Sequence, residues 1–246
     1  MTSPNPGERV RRWRPVATPT SWRQALLRRP TLVIMARAPV AGTVKTRLHP
    51  LLGAEGCARL QTALIRHAAA LDGGRGFLAH TPPGAAGLIR PLVGRRLTLF
   101  PQQGADLGDR MAAAVAVAAA RRPGPVILIG TDCPVLRRAH LSAAAAQLAG
   151  GCDVVLGPAY DGGYYLIALA RPDPRIFALP TRAWGGPHVA DYTAERAAAA
   201  GLQLGFIDPE HDLDTPADAT AVLSDPRLPP EIAAMLRSGG LHPDRG

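Results

Sequence analysis

The sequence predicts an α/β protein whose mostly parallel sheet is covered by helices on both faces. Three observations carry that expectation. From Thr31 onward, short β-like runs alternate with longer helical stretches, the pattern of strands joined by helical crossovers. Runs such as Leu32–Met35 and Val126–Ile129 are apolar throughout, as strands buried on both sides are. Late in the chain, two strand-like runs lie too close together for a crossover, so part of the sheet is antiparallel.

The elements follow in order. Leu32–Met35 reads as a first strand and about Ala54–Leu71 as a helix. Gly76–His80 is a second short strand, followed by a weak helix near Ala85–Val93 and a strand at Leu97–Phe100. Asp106–Arg121 has strong helical composition, and Pro125–Ile129 is the clearest buried strand. A helix near His140–Leu148 leads to Asp153–Leu156. Only the turn Asp161-Gly162-Gly163 then precedes Tyr164–Leu169, so these two strands are expected to pair antiparallel. A helix near Val189–Ala200 and a strand at Leu202–Ile207 come next. Thr215 can then cap a helix that opens on Pro216 with Asp218 in its first turn. The chain from Ser224 is Pro-rich, with one short helix near Pro230–Leu236.

The 246 residues suffice for one large domain, with 47% hydrophobic, 19% charged and only 4% aromatic residues. Ala, Leu and Val must build most of the core. The net charge of +9 resembles a nucleic-acid signal until it is located. Residues 1–29 hold seven arginines against Glu8, so the basic character belongs mainly to an Arg/Pro-rich extension expected to be disordered. The organisation is therefore an extension over 1–29, one catalytic domain over 30–225 and a Pro-rich tail over 226–246. Arg11-Arg12 suggests twin-arginine export, but no apolar stretch follows it before the first strand. No segment is apolar for long enough to span a membrane. Cys57, Cys133 and Cys152 are odd in number and lack metal-type spacing, which fits a reducing cytoplasm. Neither a nucleic-acid partner nor a particular oligomeric state is indicated.

Ligands of open α/β sheets sit beyond the carboxyl ends of the strands, and the polar residues of this chain collect there. The first strand is followed by Arg37, Gly42, Lys45 and Arg47. Lys45 is the only lysine among 28 Lys and Arg residues, which singles it out as a site that needs a compact ammonium. A Gly/Pro-punctuated turn with these cations suits phosphate oxygens, whereas a solvated surface charge is the plainer alternative. The turn is not a Walker loop, because its Gly and Lys are not adjacent. The third strand end brings Gln103, Gly104, Asp106, Asp109 and Arg110. The fourth brings Asp132, whose carboxylate either holds a hard divalent cation or caps the next helix. Asp161, Gly162, Gly163 and Tyr164 follow the fifth, and that turn is either a backbone cradle or an ordinary hairpin. Asp212 and Asp214 flank Leu213 with their carboxylates on one side of an extended segment, and Asp161 or Asp214 would give Asp132 a second acid. Trp184-Gly185-Gly186 could wall the pocket.

These motifs are ARAPVAGTVKTRL, QGADLGDRM, LIGTDCPVL, DVVLGPAYDGGYYLIAL and HDLDTPADA. Their order over about residues 31–222 resembles a family of GT-A-like bacterial glycosyltransferases of the type linked to arsenosugar biosynthesis or radical-SAM/selenodomain neighbourhoods. They are also similar to motifs of the 2-phospholactate and molybdenum-cofactor guanylyltransferases. The resemblance implies a GT-A fold, a Rossmann-like mixed sheet, with Mg²⁺ or Mn²⁺ as cofactor. It implies that Lys45 and Arg47 hold the pyrophosphate and that Asp106 to Asp109 lie near the nucleotide. It further implies that Asp132 holds the metal and that Asp161, Gly162 and Gly163 shape the acceptor side. Tyr165 departs from the pattern, which usually has Trp there, and the Arg-rich extension inherits nothing from it.

The leading expectation is glycosyl transfer from a nucleotide-diphospho-sugar to a small acceptor, with Lys45, Asp132 and Asp161 catalytic and Asp132 and Asp214 on the metal. Nucleotidyl transfer from a nucleoside triphosphate to a small phosphorylated acid is the alternative. A nucleotide-binding regulatory module without turnover is the third, and the many carboxylates near phosphate speak against it.

Overall fold

The computed structural model describes residues 29–240. The expected N-terminal extension lies outside the described residues except for Arg29, as do residues 241–246. Seven strands form one sheet: β1 Thr31–Arg37, β2 Phe77–Thr81, β3 Thr98–Pro101, β4 Val126–Ile129, β5 Val154–Pro158, β6 Tyr164–Leu169 and β7 Leu204–Phe206. Their order is β3-β2-β1-β4-β6-β5-β7. Neighbours in register include Leu32 with Ile127 and Val154 with Leu169. Only β6 runs antiparallel, inserted between β4 and β5. All six parallel strands therefore point their carboxyl ends at one edge of the molecule.

Helices α1 His49–Ala70, α2 Ala86–Val93, α3 Leu107–Arg121, α4 Arg138–Ala149, α5 Val189–Ala199, α6 Pro216–Leu223 and α7 Pro230–Ser238 surround the sheet. Period-two side-chain direction sends alternate strand residues to opposite faces. Leu32, Ile34, Leu78, Ile127, Ile129 and Leu166 pack on one face with α1 residues Leu60 and Leu64, α4 residue Leu148 and α7 residues Ile232 and Leu236. Val33, Phe77, Leu128, Leu156 and Ile167 pack on the other with α3 residues Met111, Val115 and Ala118 and with Ala197 of α5. Helices cover both faces, as the apolar strands require.

Boundaries differ from expectation where local chemistry intervenes. Gly53 takes φ 66° inside α1, so regular helix resumes at Ala54, the start read from the sequence. The segment Leu202–Ile207 shortens to the three residues of β7, which has a neighbour only in β5. The C-terminal stretch does more than end the chain, because Leu228, Ile232 and Leu236 join the core. Among the described residues, no helix is long and apolar enough to cross a membrane.

Candidate active site

The chain leaves β1 toward β2 on one side and β4 toward β5 on the other. The two connections diverge above adjacent strands, which is where an open α/β sheet forms its crevice. A cavity of about 540 Å³ lies there. Its basic lining, Arg37, Arg47 and Arg110, comes from the β1 side and the start of α3. Its acids, Asp132, Asp161, Asp212 and Asp214, come from the ends of β4, β5 and β7.

Lys45 joins the two halves. It is the only non-glycine described residue with positive φ, at 47°, a conformation that costs a non-glycine residue of order 1–3 kcal/mol. The backbone reversal directs its side chain inward, where 4% remains exposed. There Nζ donates to Asp132 Oδ1 at 2.5 Å, Leu213 O at 2.8 Å and Asp214 Oδ1 at 2.9 Å. Burial alone would lower the ammonium pKa, but the two carboxylates outweigh it and push it up to about 12. Lys45 is therefore neither a solvated surface charge nor a free phosphate ligand: its three donors are already used by the acidic wall.

The acids are fixed by backbone. Leu213 N donates to Asp132 O at 2.7 Å, which ties the β4 loop to the segment carrying Asp212 and Asp214. Thr215 caps α6 as expected: its Oγ1 accepts from Asp218 N, and Asp218 Oδ2 accepts from Thr215 N at 2.7 Å and Asp214 N at 3.1 Å. Glu210 anchors the same segment from behind. Buried at 4% exposure, it takes both Arg227 guanidinium nitrogens and His140 Nε2. Asp212 is the exception, with a buried Oδ1 that has no hydrogen-bond partner. Burial, then the nearby charges of Asp132 and Asp161, raise its pKa well above the ordinary carboxylate range, although Lys45 opposes them.

Several expected site residues have other duties. Asp106 is the N-cap of α3, accepting from Asp109 N at 2.9 Å, while Asp109 Oδ2 accepts from Ala105 N. Neither lines the cavity, and Gln103 and Gly104 do not either. The spacing of Asp106 and Asp109 is that of a helix cap, and of this group only Arg110 lines the cavity. Gly42 sits at φ 81° in an exposed turn outside the lining. Asp161 lines the cavity, its Oδ1 accepting from Gly163 N at 2.8 Å. Gly162 instead packs behind the wall, where an added Cβ would lie 1.9 Å from Pro187 O. Tyr164 and Tyr165 point to opposite sheet faces, yet both border the cavity. Trp184 also lines it, its indole ring close over Gly108.

Gln61 lines the cavity without having been marked by the sequence reading. Gln61 stands in the buried stripe of α1 and donates to Arg37 O and Thr131 Oγ1, both at 3.2 Å. Gln102 donates to Ala36 O and Ala79 O across the strand ends. A polar residue among Cys57, Leu60 and Leu64 is the signal that could have found Gln61.

Residues 64–185 match DUF2064, described as an uncharacterized protein conserved in bacteria. The DUF2064 match takes in Asp132, Asp161 and Trp184 but stops short of Asp214. A structure from Desulfovibrio desulfuricans G20, described as a candidate nucleotide-diphospho-sugar transferase, is 26% identical with a TM-score of 0.77, over 86% of this chain and 95% of that one. CMP:2-keto-3-deoxy-manno-octonic acid synthetase complexed with CTP is 15% identical with a TM-score of 0.51, over 86% and 100% of the two chains. A cytidylyltransferase from Leptospira borgpetersenii serovar Hardjo-bovis is 11% identical with a TM-score of 0.50, over 86% and 95%. The last two likenesses establish the fold alone. Comparison with the curated proteins returns no match. The chain thus has the nucleotide-diphospho-sugar transferase fold, with transferases and nucleotidyltransferases as its structural neighbours.

Proposed function

We propose that this protein is a divalent-cation-dependent, cytoplasmic transferase that moves a sugar from a nucleotide-diphospho-sugar to a small acceptor. The observation that carries the reading is the divided cavity at the β1/β4 crevice, with arginines on one side and aspartates on the other. Arg37, Arg47 and Arg110 would bind the donor's diphosphate oxygens as charge-assisted hydrogen-bond donors. Asp161, held by the Gly163 N–H, would accept a hydrogen bond from the acceptor's hydroxyl. The 26% identical Desulfovibrio protein, by its description, supports the same class. Three free, buried cysteines accord with a reducing compartment.

The residues fit a hard cation. Asp132 and Asp214, 44% and 40% exposed, each bring an oxygen within 3 Å of one point, the Lys45 ammonium. Among the described residues, no group of three His, Cys, Asp or Glu could hold a metal ion. Mg²⁺ takes one or two carboxylates and completes its shell with substrate phosphate and water. Asp132 and Asp214 would hold it, and it would offset charge on the phosphate being released or attacked. Lys45 keeps the two carboxylates together and supplies a fixed positive charge beside them.

A second reading, nucleotidyl transfer, is favoured by the three arginines, which suit a triphosphate better than a diphosphate. The test is a thermal-shift panel with Mg²⁺, comparing nucleotide-sugars with the four common nucleoside triphosphates. A ligand at 100 times its dissociation constant adds about 2.7 kcal/mol, which raises the midpoint of a domain this size by roughly 5–10 °C. A larger shift from one nucleotide-sugar supports glycosyl transfer. A larger shift from a triphosphate, with pyrophosphate released, replaces it with nucleotidyl transfer. Binding without any product favours the regulatory module.

Asp132→Asn tests the cation site directly. Asn still accepts from Lys45, so the fold should hold, while turnover is expected to fall about 10²–10³-fold. Steady-state rates alongside the circular-dichroism melting midpoint measure both. Unchanged turnover would remove Asp132 from the chemistry.

A further inference from the structure

The segment from Pro180 to His188 has two faces. One closes the active-site cavity through Trp184, Gly185 and Gly186. The other, with one side of α5, encloses a second hollow of about 620 Å³. Gly186 lines both, so at that point a single glycine separates them.

The second hollow has an apolar part, including Leu179 and Pro187, and a basic one formed by Arg182, Arg196 and His188. On α5, which His188 caps, Tyr192, Arg196 and Ala199 recur at helical spacing and line the hollow together. Among the described residues, neither guanidinium has a hydrogen-bond or ion-pair partner. Glu195 is the one acid of the lining, and Asp191, nearby, is engaged by His188 Nδ1 at 3.4 Å. Tyr192 is 41% exposed with its ring edge-on to His188.

Two unpaired guanidinium groups beside an apolar surface suit a compact anion with a small organic body. We infer that this hollow is a second binding site, for a small organic anion bearing a phosphate or carboxylate. It lies across the Gly186 wall from the active-site cavity and is separate from the acceptor position beside Asp161.

Isothermal titration of the wild-type protein with inorganic phosphate, and separately with succinate, tests the site. Arg182→Ala/Arg196→Ala removes the proposed ligands, and Arg37→Ala/Arg47→Ala removes cations of the active-site cavity. Arg182 and Arg196 are exposed, so melting midpoints should stay near that of the wild type, and Arg196→Glu provides a second variant of opposite charge. Each lost charged hydrogen bond should weaken binding about tenfold or more. The expected result is weak binding of one or both anions, lost in the Arg182/Arg196 variant and in Arg196→Glu but kept in the Arg37/Arg47 variant. No binding to the wild type, equal binding to all variants, or loss only with Arg37 and Arg47 would overturn the inference.

Discussion

Lys45→Met is expected to damage stability and turnover together. The substitution keeps much of the apolar stem but leaves Asp132 and Asp214 facing each other beside Asp212 without their shared cation. Breaking a buried ion pair by removing one partner costs about 3–5 kcal/mol. Both aspartates are near half exposure, so water screens part of the repulsion and a loss of about 2–3 kcal/mol is expected. Chemical denaturation measures it. Mg²⁺ should restore part of the loss in the variant and do less for the wild type, because the cation replaces the missing charge. A variant as stable as the wild type, with no response to Mg²⁺, would show that Lys45 does not hold the acids together. Lys45→Arg keeps the charge but not the shape. The planar guanidinium cannot direct three donors at Asp132, Leu213 O and Asp214 as the ammonium does, so most turnover should be lost.

The same ion pairs fix a pH dependence. The Lys45 pKa is raised from 10.5 to about 12. A cation stabilised by folding binds its proton more tightly in the folded state, so its contribution is fully present below about 10.5 and is lost as pH rises through about 12. The stability gap between wild type and Lys45→Met should therefore be flat from neutral pH to about 10 and narrow above that. A gap that widened with pH would contradict the raised pKa.

Much of the fold was legible because apolar runs, turns and caps are local signals. Tyr164–Leu169 has the bounds expected of it, and the Thr215–Pro216–Asp218 start of α6 is built as its residues require. The antiparallel pairing of β5 with β6 followed from a turn too short for a crossover. What was not legible is long-range. That β6 lies between β4 and β5 depends on pairing Val126 with Leu169, which no local pattern announces. The site shows the same division. Lys45 stood out by composition and Asp132 by position, but their meeting spans 87 residues and the Asp214 contact 169. Sequence placed the cation and the acids at one sheet edge without saying that they neutralise each other. Asp106 and Asp109 illustrate a further limit, since an acid with a partner three residues on serves a helix N-terminus as readily as a ligand. The anchoring role of buried Glu210 was not legible because its partners, Arg227 and His140, come from separate segments.

Gly162→Ala should be far more damaging than Gly42→Ala, although both glycines occupy left-handed backbone at φ 90° and 81°. At Gly42 an added methyl meets nothing within 4 Å, so the cost is conformational, about 1 kcal/mol. At Gly162 the same methyl would lie 1.9 Å from Pro187 O and 2.4 Å from its carbonyl carbon. Backbone cannot swing aside as a side chain can, and Gly162 O also accepts from Ala190 N at 3.0 Å in the first turn of α5. The wall from Trp184 to His188 must then shift away from the turn that carries Asp161, at a cost of about 3 kcal/mol or more by analogy with severe overpacking. Melting midpoints separate the two variants, and Trp184 fluorescence should change in Gly162→Ala alone. If both variants lost equally little stability, the close approach of Pro187 to Gly162 would not be a constraint on the wall. If Gly162→Ala lost stability without changing the nucleotide response, the wall would be structural and not part of the pocket. The expected outcome is loss of both, because Gly162 joins the acidic turn to the wall that closes the cavity.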